Sequence, residues 1–99
     1  MKFSKYKNDT KRWDFKNFLL QTKTQSTAMG YLSSLNSTSL VNVIAKQNYG
    51  VEDIFRINDI QILSDILVIV LKDQRNRLAH NRFSSALKYY ILYINTLNE

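Results

Sequence analysis

Asn81-Arg82-Phe83-Ser84-Ser85-Ala86-Leu87-Lys88-Tyr89-Tyr90-Ile91-Leu92-Tyr93-Ile94-Asn95-Thr96-Leu97 decides the fold of this chain. Phe83, Leu87, Tyr90, Ile91, Ile94 and Leu97 recur at spacings of three and four, which gathers them on one face of an α-helix. Directly before this stretch stands Arg75-Asn76-Arg77-Leu78-Ala79-His80. Arg75, Arg77, His80 and Arg82 therefore crowd the entrance of a strongly amphipathic helix, and His80 is the only histidine in the chain.

Working outward, Ile60, Leu63, Ile66, Leu67 and Val70 predict a second long helix, started by Asn58 or Asp59 as its cap. Its β-branched richness makes a buried strand over 66–71 the rival reading. Helix is preferred, because the apolar period reaches back to residue 60 and no hairpin turn follows. Val51 to Ile57 reads as a connection through one helical turn. Leu40 to Lys46 reads as a short helix ending at Asn48-Tyr49-Gly50, with Gly50 in the left-handed position that terminates helices. Thr24 or Ser26 is expected to cap a helix carrying Ala28, Tyr31, Leu32 and Leu35. Gly30 lies inside that helix at a cost of about 1 kcal/mol relative to alanine, and predicts a close helix approach. Trp13, Phe15, Phe18 and Leu19 predict a first short helix over 13–21. Residues 1–12 alternate charge and polarity and are expected to form a loose basic arm before a single domain, 13–99. The expected fold is all-α, a compact bundle of four to five helices.

Ninety-nine residues hold one modest core. The net charge is +6, and it is unevenly spread. Residues 1–23 carry +5, residues 24–71 carry −2 and residues 72–99 carry +3. If the two basic ends meet, they form one face suited to phosphates. With no cysteine, disulfides and thiolate metal sites are excluded. Glu52 and Asp53 lack a third carboxylate or a second histidine at ligand spacing, so no metal is expected. No cofactor motif, phosphate loop or serine–histidine–acid pattern is present. The longest apolar run, Ile66 to Leu71, is too short to span a bilayer, and Lys11, Arg12, Asp14 and Lys16 interrupt any signal-peptide pattern. A soluble, cytoplasmic chain is expected.

Helix N-termini offer free N–H groups to phosphates. Two such ends carry suitable side chains. Lys23, Thr24, Ser26 and Thr27 lie at one; Arg75, Arg77, His80, Asn81 and Arg82 lie at the other, with Lys88 further along. Cations supply counterion-release affinity and hydroxyls supply hydrogen bonds to phosphate. Ser26, Thr27 and Asn81 also serve as ordinary caps.

Trp13-Asp14-Phe15-Lys16-Asn17-Phe18-Leu19-Leu20, then Ser26-Thr27-Ala28-Met29-Gly30-Tyr31-Leu32-Ser33-Ser34-Leu35, and finally Ser85-Ala86-Leu87-Lys88-Tyr89-Tyr90-Ile91-Leu92-Tyr93, resemble a SAM-like helical module. Such modules form the core-binding domain of tyrosine recombinases and the N-terminus of some restriction-type nucleases. The resemblance spans about residues 13 to 97. It implies a non-catalytic DNA-binding or accessory module beside a neighbouring catalytic domain or protein. The catalytic residues of those enzymes have no counterpart here. No catalytic domain follows Glu99, so an excised domain, a stand-alone accessory or a remnant is expected. This is the leading expectation of the sequence, with DNA favoured over RNA.

Arg75, Asn76 and His80 also resemble the signature of HEPN ribonucleases, small all-α proteins that pair two such motifs across a homodimer. That resemblance covers six residues, and the long first helices of the family are not evident in the apolar pattern. It implies His80 as general acid or base on the ribose hydroxyl or leaving group, Arg75 on the phosphorane charge, Asn76 orienting both, and no metal. A third expectation is a protein-interaction module, docking through an exposed Tyr89–Tyr93 stripe and Leu40–Ile44.

Overall fold

The computed structural model describes the backbone of residues 2–98 and the side chains of residues 10–98. Six α-helices and one 3-10 turn follow one another: α1 (Lys2–Leu20), α2 (Gln25–Ser34), α3 (Leu40–Tyr49), the turn Ile54–Arg56, α4 (Ile60–Lys72), α5 (Gln74–Leu78) and α6 (Arg82–Leu97). No strand occurs among the described residues. The Cα radius of gyration is 12.7 Å, close to the ~13 Å expected when about 100 residues fold as one unit.

The caps explain the boundaries. Thr24 Oγ1 accepts from Thr27 N at 3.2 Å and starts α2. Asp59 accepts from Gln61 N and Ile62 N and starts α4. Gly50 ends α3 at φ 68°, where a side chain would be strained. The 66–71 segment is helical, and Leu63, Ile66 and Val70 at spacings of three and four turn its buried face inward.

α6 packs against α4, α2, α1 and α3 and organises the core. Tyr90 is fully buried. Its ring meets Phe15 edge-on at 5.4 Å and Phe55 at 5.1 Å, and its hydroxyl donates to the Ile57 carbonyl at 3.2 Å. Burial raises its pKa above the ordinary tyrosine value. Tyr93 takes Phe15 and Phe18 at 5.6 Å each. A buried aromatic contributes its area plus about 0.5–1.5 kcal/mol per well-oriented ring pair, so this cluster is the bundle's main fastening.

Several expectations change. Among the described residues there are six helices rather than four or five. The first begins at Lys2 rather than near residue 13, and the Lys11 and Arg12 side chains at the end of the expected 1–12 arm reach the bundle, the side chains of residues 1–9 lying outside the described ones. Lys11 hydrogen bonds to Asn58 and lies 5.7 Å from the Tyr90 ring centre, while the Arg12 guanidinium lies 5.4 Å from that of Phe55. Their aliphatic stems cover apolar surface, as long cationic chains do. Desolvation lowers the Lys11 pKa, partly offset by Asp53. Gly30 marks no close approach, because an added Cβ there would meet nothing within 4 Å. Leu40, Val41, Ile44 and Tyr93 are buried. Tyr89 is half-buried with its ring 5.1 Å from Tyr31. The surface expected to dock a partner is thus largely interior packing.

Candidate nucleic-acid site at the corner between α5 and α6

Asp73 ends α4 and begins α5. Its Oδ1 accepts from Arg75 N at 2.8 Å and from Arg75 Nε at 3.1 Å, and its Oδ2 accepts from an Arg75 terminal nitrogen at 2.8 Å. This two-pronged clamp is the one ion pair among the described residues. It lowers the Asp73 pKa and raises that of Arg75. Arg75 is thereby held in one direction, yet its side chain stays 60% exposed.

Asn76, next in sequence, is fully buried. Its Nδ2 donates to Ser84 Oγ at 3.0 Å, and its Oδ1 accepts from Ser84 N at 3.0 Å. Its main-chain carbonyl accepts from Asn81 N at 2.8 Å and from Ala79 N at 3.1 Å. Ser84 Oγ in turn donates to the Asn81 carbonyl at 3.0 Å. Asn76 was expected to orient Arg75 and His80. Its hydrogen bonds reach neither side chain and go instead to the main chain and to the Ser84 and Asn81 side chains of the corner.

The corner needs that bracing. His80 and Asn81 are the only non-glycine residues with positive φ among those described, at 56° and 62°. Left-handed backbone costs an L-residue with a Cβ roughly 1–2 kcal/mol. Asparagine and histidine enter this region more readily than most residues with a Cβ, but two in succession need surroundings that hold them. The strained pair directs the single histidine outward, and its side chain is exposed.

Arg77, Arg82 and Lys88 are exposed as well. Arg82 and Tyr89 lie seven residues apart on α6, two turns and about 10 Å along one face. Lys23 is seated there, its Nζ 4.7 Å from the Tyr89 ring centre. Lys23, the last cation of the basic N-terminal stretch, therefore lies on the Arg82 side of α6, with Lys88 about 100° round the helix. Thr24 and Thr27 fit the phosphate role less well. The Thr24 hydroxyl caps α2 and donates to the Thr27 hydroxyl at 3.1 Å. Ser26 is exposed beside them.

Two participants went unread in the sequence. Asp73 had a local signal, since an acidic cap two residues before an arginine can clamp it. Ser84 had none, because it meets Asn76 only across the corner, eight residues away. Among the described residues no group of three histidine, cysteine or acidic side chains gathers as a metal would require. No described helix is long and apolar enough to cross a membrane. No protein-family model, curated protein or solved structure matches the chain.

Proposed function

We propose that the corner between α5 and α6 is a phosphodiester site, and that the chain is a metal-independent ribonuclease acting as a two-fold dimer. The observation that carries this reading is the only histidine, held outward on left-handed backbone without glycine. A fully buried asparagine braces that backbone, and five residues before the histidine in sequence stands an arginine held by a two-pronged clamp. Strained backbone that persists only because its surroundings enforce it clusters at functional sites.

In this mechanism the ribose 2′-hydroxyl loses its proton to a general base and attacks the adjacent phosphorus. The 5′-oxygen leaves with a proton from a general acid, and a 2′,3′-cyclic phosphate results. Histidine suits either role. Arg75 stabilises the charge that builds on the phosphorane oxygens. Each chain supplies one histidine, so two copies supply acid and base together. Val68, Leu71 and Leu78 are exposed on α4 and α5, next to the corner, and give two copies apolar surface to bury. The 19-residue α1 also answers the departure noted above, since long first helices belong to the HEPN resemblance.

A second reading keeps the partner class and drops the chemistry: a SAM-like module that grips the DNA backbone. The alignment of Arg82 and Lys23 along α6 favours it.

RNA cleavage in EDTA, run beside a duplex-DNA shift assay, tests both. The ribonuclease reading expects cyclic-phosphate products that His80→Ala abolishes and duplex DNA does not inhibit strongly. The absence of cleavage, with salt-sensitive DNA binding weakened by Arg77→Ala and Arg82→Ala but unchanged in His80→Ala, would replace it with the second.

A further inference from the structure

α1 and α2 leave a second feature that the corner does not use. Phe15 and Leu19 turn the buried face of α1 inward. Trp13, two residues before Phe15, projects to nearly the opposite side at 100° per residue. It is 60% exposed, and Met29 of α2 is 47% exposed. Together with Leu32, Arg12 and Lys16 they line a cleft of about 130 Å³. Leu20, 40% exposed, continues the Trp13 side of α1 two turns further on. Nothing in the fold requires this tryptophan, and an exposed tryptophan beside an adaptable methionine is the side-chain pair that protein interfaces favour.

The rim is cationic and ordered. Lys16 Nζ lies 4.6 Å from the Trp13 ring centre, and Arg12 is steadied over Phe55. No acidic residue lines the cleft. Asp14, the nearest in sequence, lies on the Tyr93 side of α1, where its charge bears on the Tyr93 hydroxyl.

We propose that this cleft docks an acidic segment of a partner protein, which inserts one large apolar side chain between Trp13 and Met29 and sets carboxylates against Arg12 and Lys16. Peptide fits better than nucleic acid. The walls and floor are apolar, so the polar edge of an inserted base would go unpaired. Lys16 also occupies the Trp13 ring, which a stacking base would need. An aliphatic or aromatic side chain suffers neither penalty.

Trp13 is the chain's only tryptophan, so its fluorescence reports this cleft alone. The test selects a displayed random peptide library on the whole chain, with counter-selection on Trp13→Ala. The expected winners carry Leu, Ile or Phe flanked by Asp or Glu and shift Trp13 emission. They should weaken about tenfold or more with Lys16→Glu. Met29→Glu, at an exposed position, provides a second variant if Trp13→Ala fails to fold, which circular dichroism checks. No enrichment, winners without acidic residues, or winners that bind Lys16→Glu equally well would overturn the proposal. An oligouridylate that shifts Trp13 emission and displaces the peptide would overturn it in favour of single-stranded RNA. His80→Ala should leave peptide affinity unchanged, so failure of the ribonuclease reading and failure of this one are separable.

Discussion

Two buried asparagines close two corners of this bundle, and they restrain different kinds of backbone. Asn42, near the start of α3, donates to the Leu35 carbonyl at 3.0 Å and the Asn36 carbonyl at 2.7 Å, and accepts from Ile54 N at 2.8 Å. It ties the loop between α2 and α3 to the 3-10 turn. That loop is neutral, and its non-glycine residues all keep negative φ. Asn76 likewise uses both ends of its amide, accepting from Ser84 N but donating to the Ser84 hydroxyl, yet the backbone it holds is left-handed and carries His80 between arginines. A buried amide latch is therefore a general stabilising device here. What sets the second corner apart is the load placed on it.

The largest effect that could break this comparison is on cleavage. His80→Ala should lower RNA cleavage by about 10²- to 10⁴-fold, the range for loss of a general acid or base. Its melting temperature should not fall. Retained cleavage would make the second corner as mute as the first.

Next come the latches themselves. Asn42→Ala orphans the Leu35 carbonyl and Ile54 N, and Asn76→Ala orphans Ser84 N and unpairs the Ser84 hydroxyl on one side, at about 1–3 kcal/mol per buried group. Each should cost roughly 2–4 kcal/mol, or on the order of 10–20 °C in Tm. Thermal unfolding measures this loss. The sharpening lies in activity per folded molecule: it should survive Asn42→Ala and drop in Asn76→Ala. Equal activity in both would show that the strained turn needs no brace.

A smaller effect has the opposite sign. Asn81→Gly relieves left-handed strain and should stabilise the fold by about 0.5 kcal/mol, net of the extra freedom glycine gives the unfolded chain. Gly30→Ala, on an open helix surface, should stabilise by about 0.5–1 kcal/mol without touching either corner. Destabilisation by Asn81→Gly in urea titration would mean that its side chain, not its backbone, matters there.

The smallest effect is the pH response of the Asp73–Arg75 clamp. The folded Asp73 pKa is depressed by Arg75. Its contribution is therefore complete above the unfolded carboxylate pKa near ~4. It is lost as pH falls through the lower folded value. Both groups are solvent-accessible, so screening keeps the effect small. The Tm difference between the native chain and Asp73→Asn should shrink below about pH 4; a constant difference down to lower pH would mean that the clamp adds nothing.

Much of the architecture was legible in residue order. The apolar periods of α4 and α6 outlast any strand, and Thr24, Asp59 and Gly50 punctuate where their chemistry says they should. The start of α1 was hidden, because its first turns carry no apolar period. Lys11 and Arg12 look like solvent-facing charge until Tyr90 and Phe55, some 80 and 43 positions later in the chain, come to lie beside them. The candidate site was half legible. Arg75, His80 and the cations around them stood out, whereas the functions of Asn76, Asp73 and Ser84 did not.

The sequence by itself determined the all-α class, the caps and the concentration of positive charge at both ends, since these depend on neighbours within a turn or two. Tertiary structure alone decided that Lys23 is seated on Tyr89, that Tyr93 and Leu40–Ile44 belong to the core, and that Gly30 faces open space. It also decided that His80 stands on strained backbone, because that strain is sustained by Asn76 and Ser84 across a corner. Residue periodicity reports which face of a helix is apolar; only long-range contacts determine what that face meets.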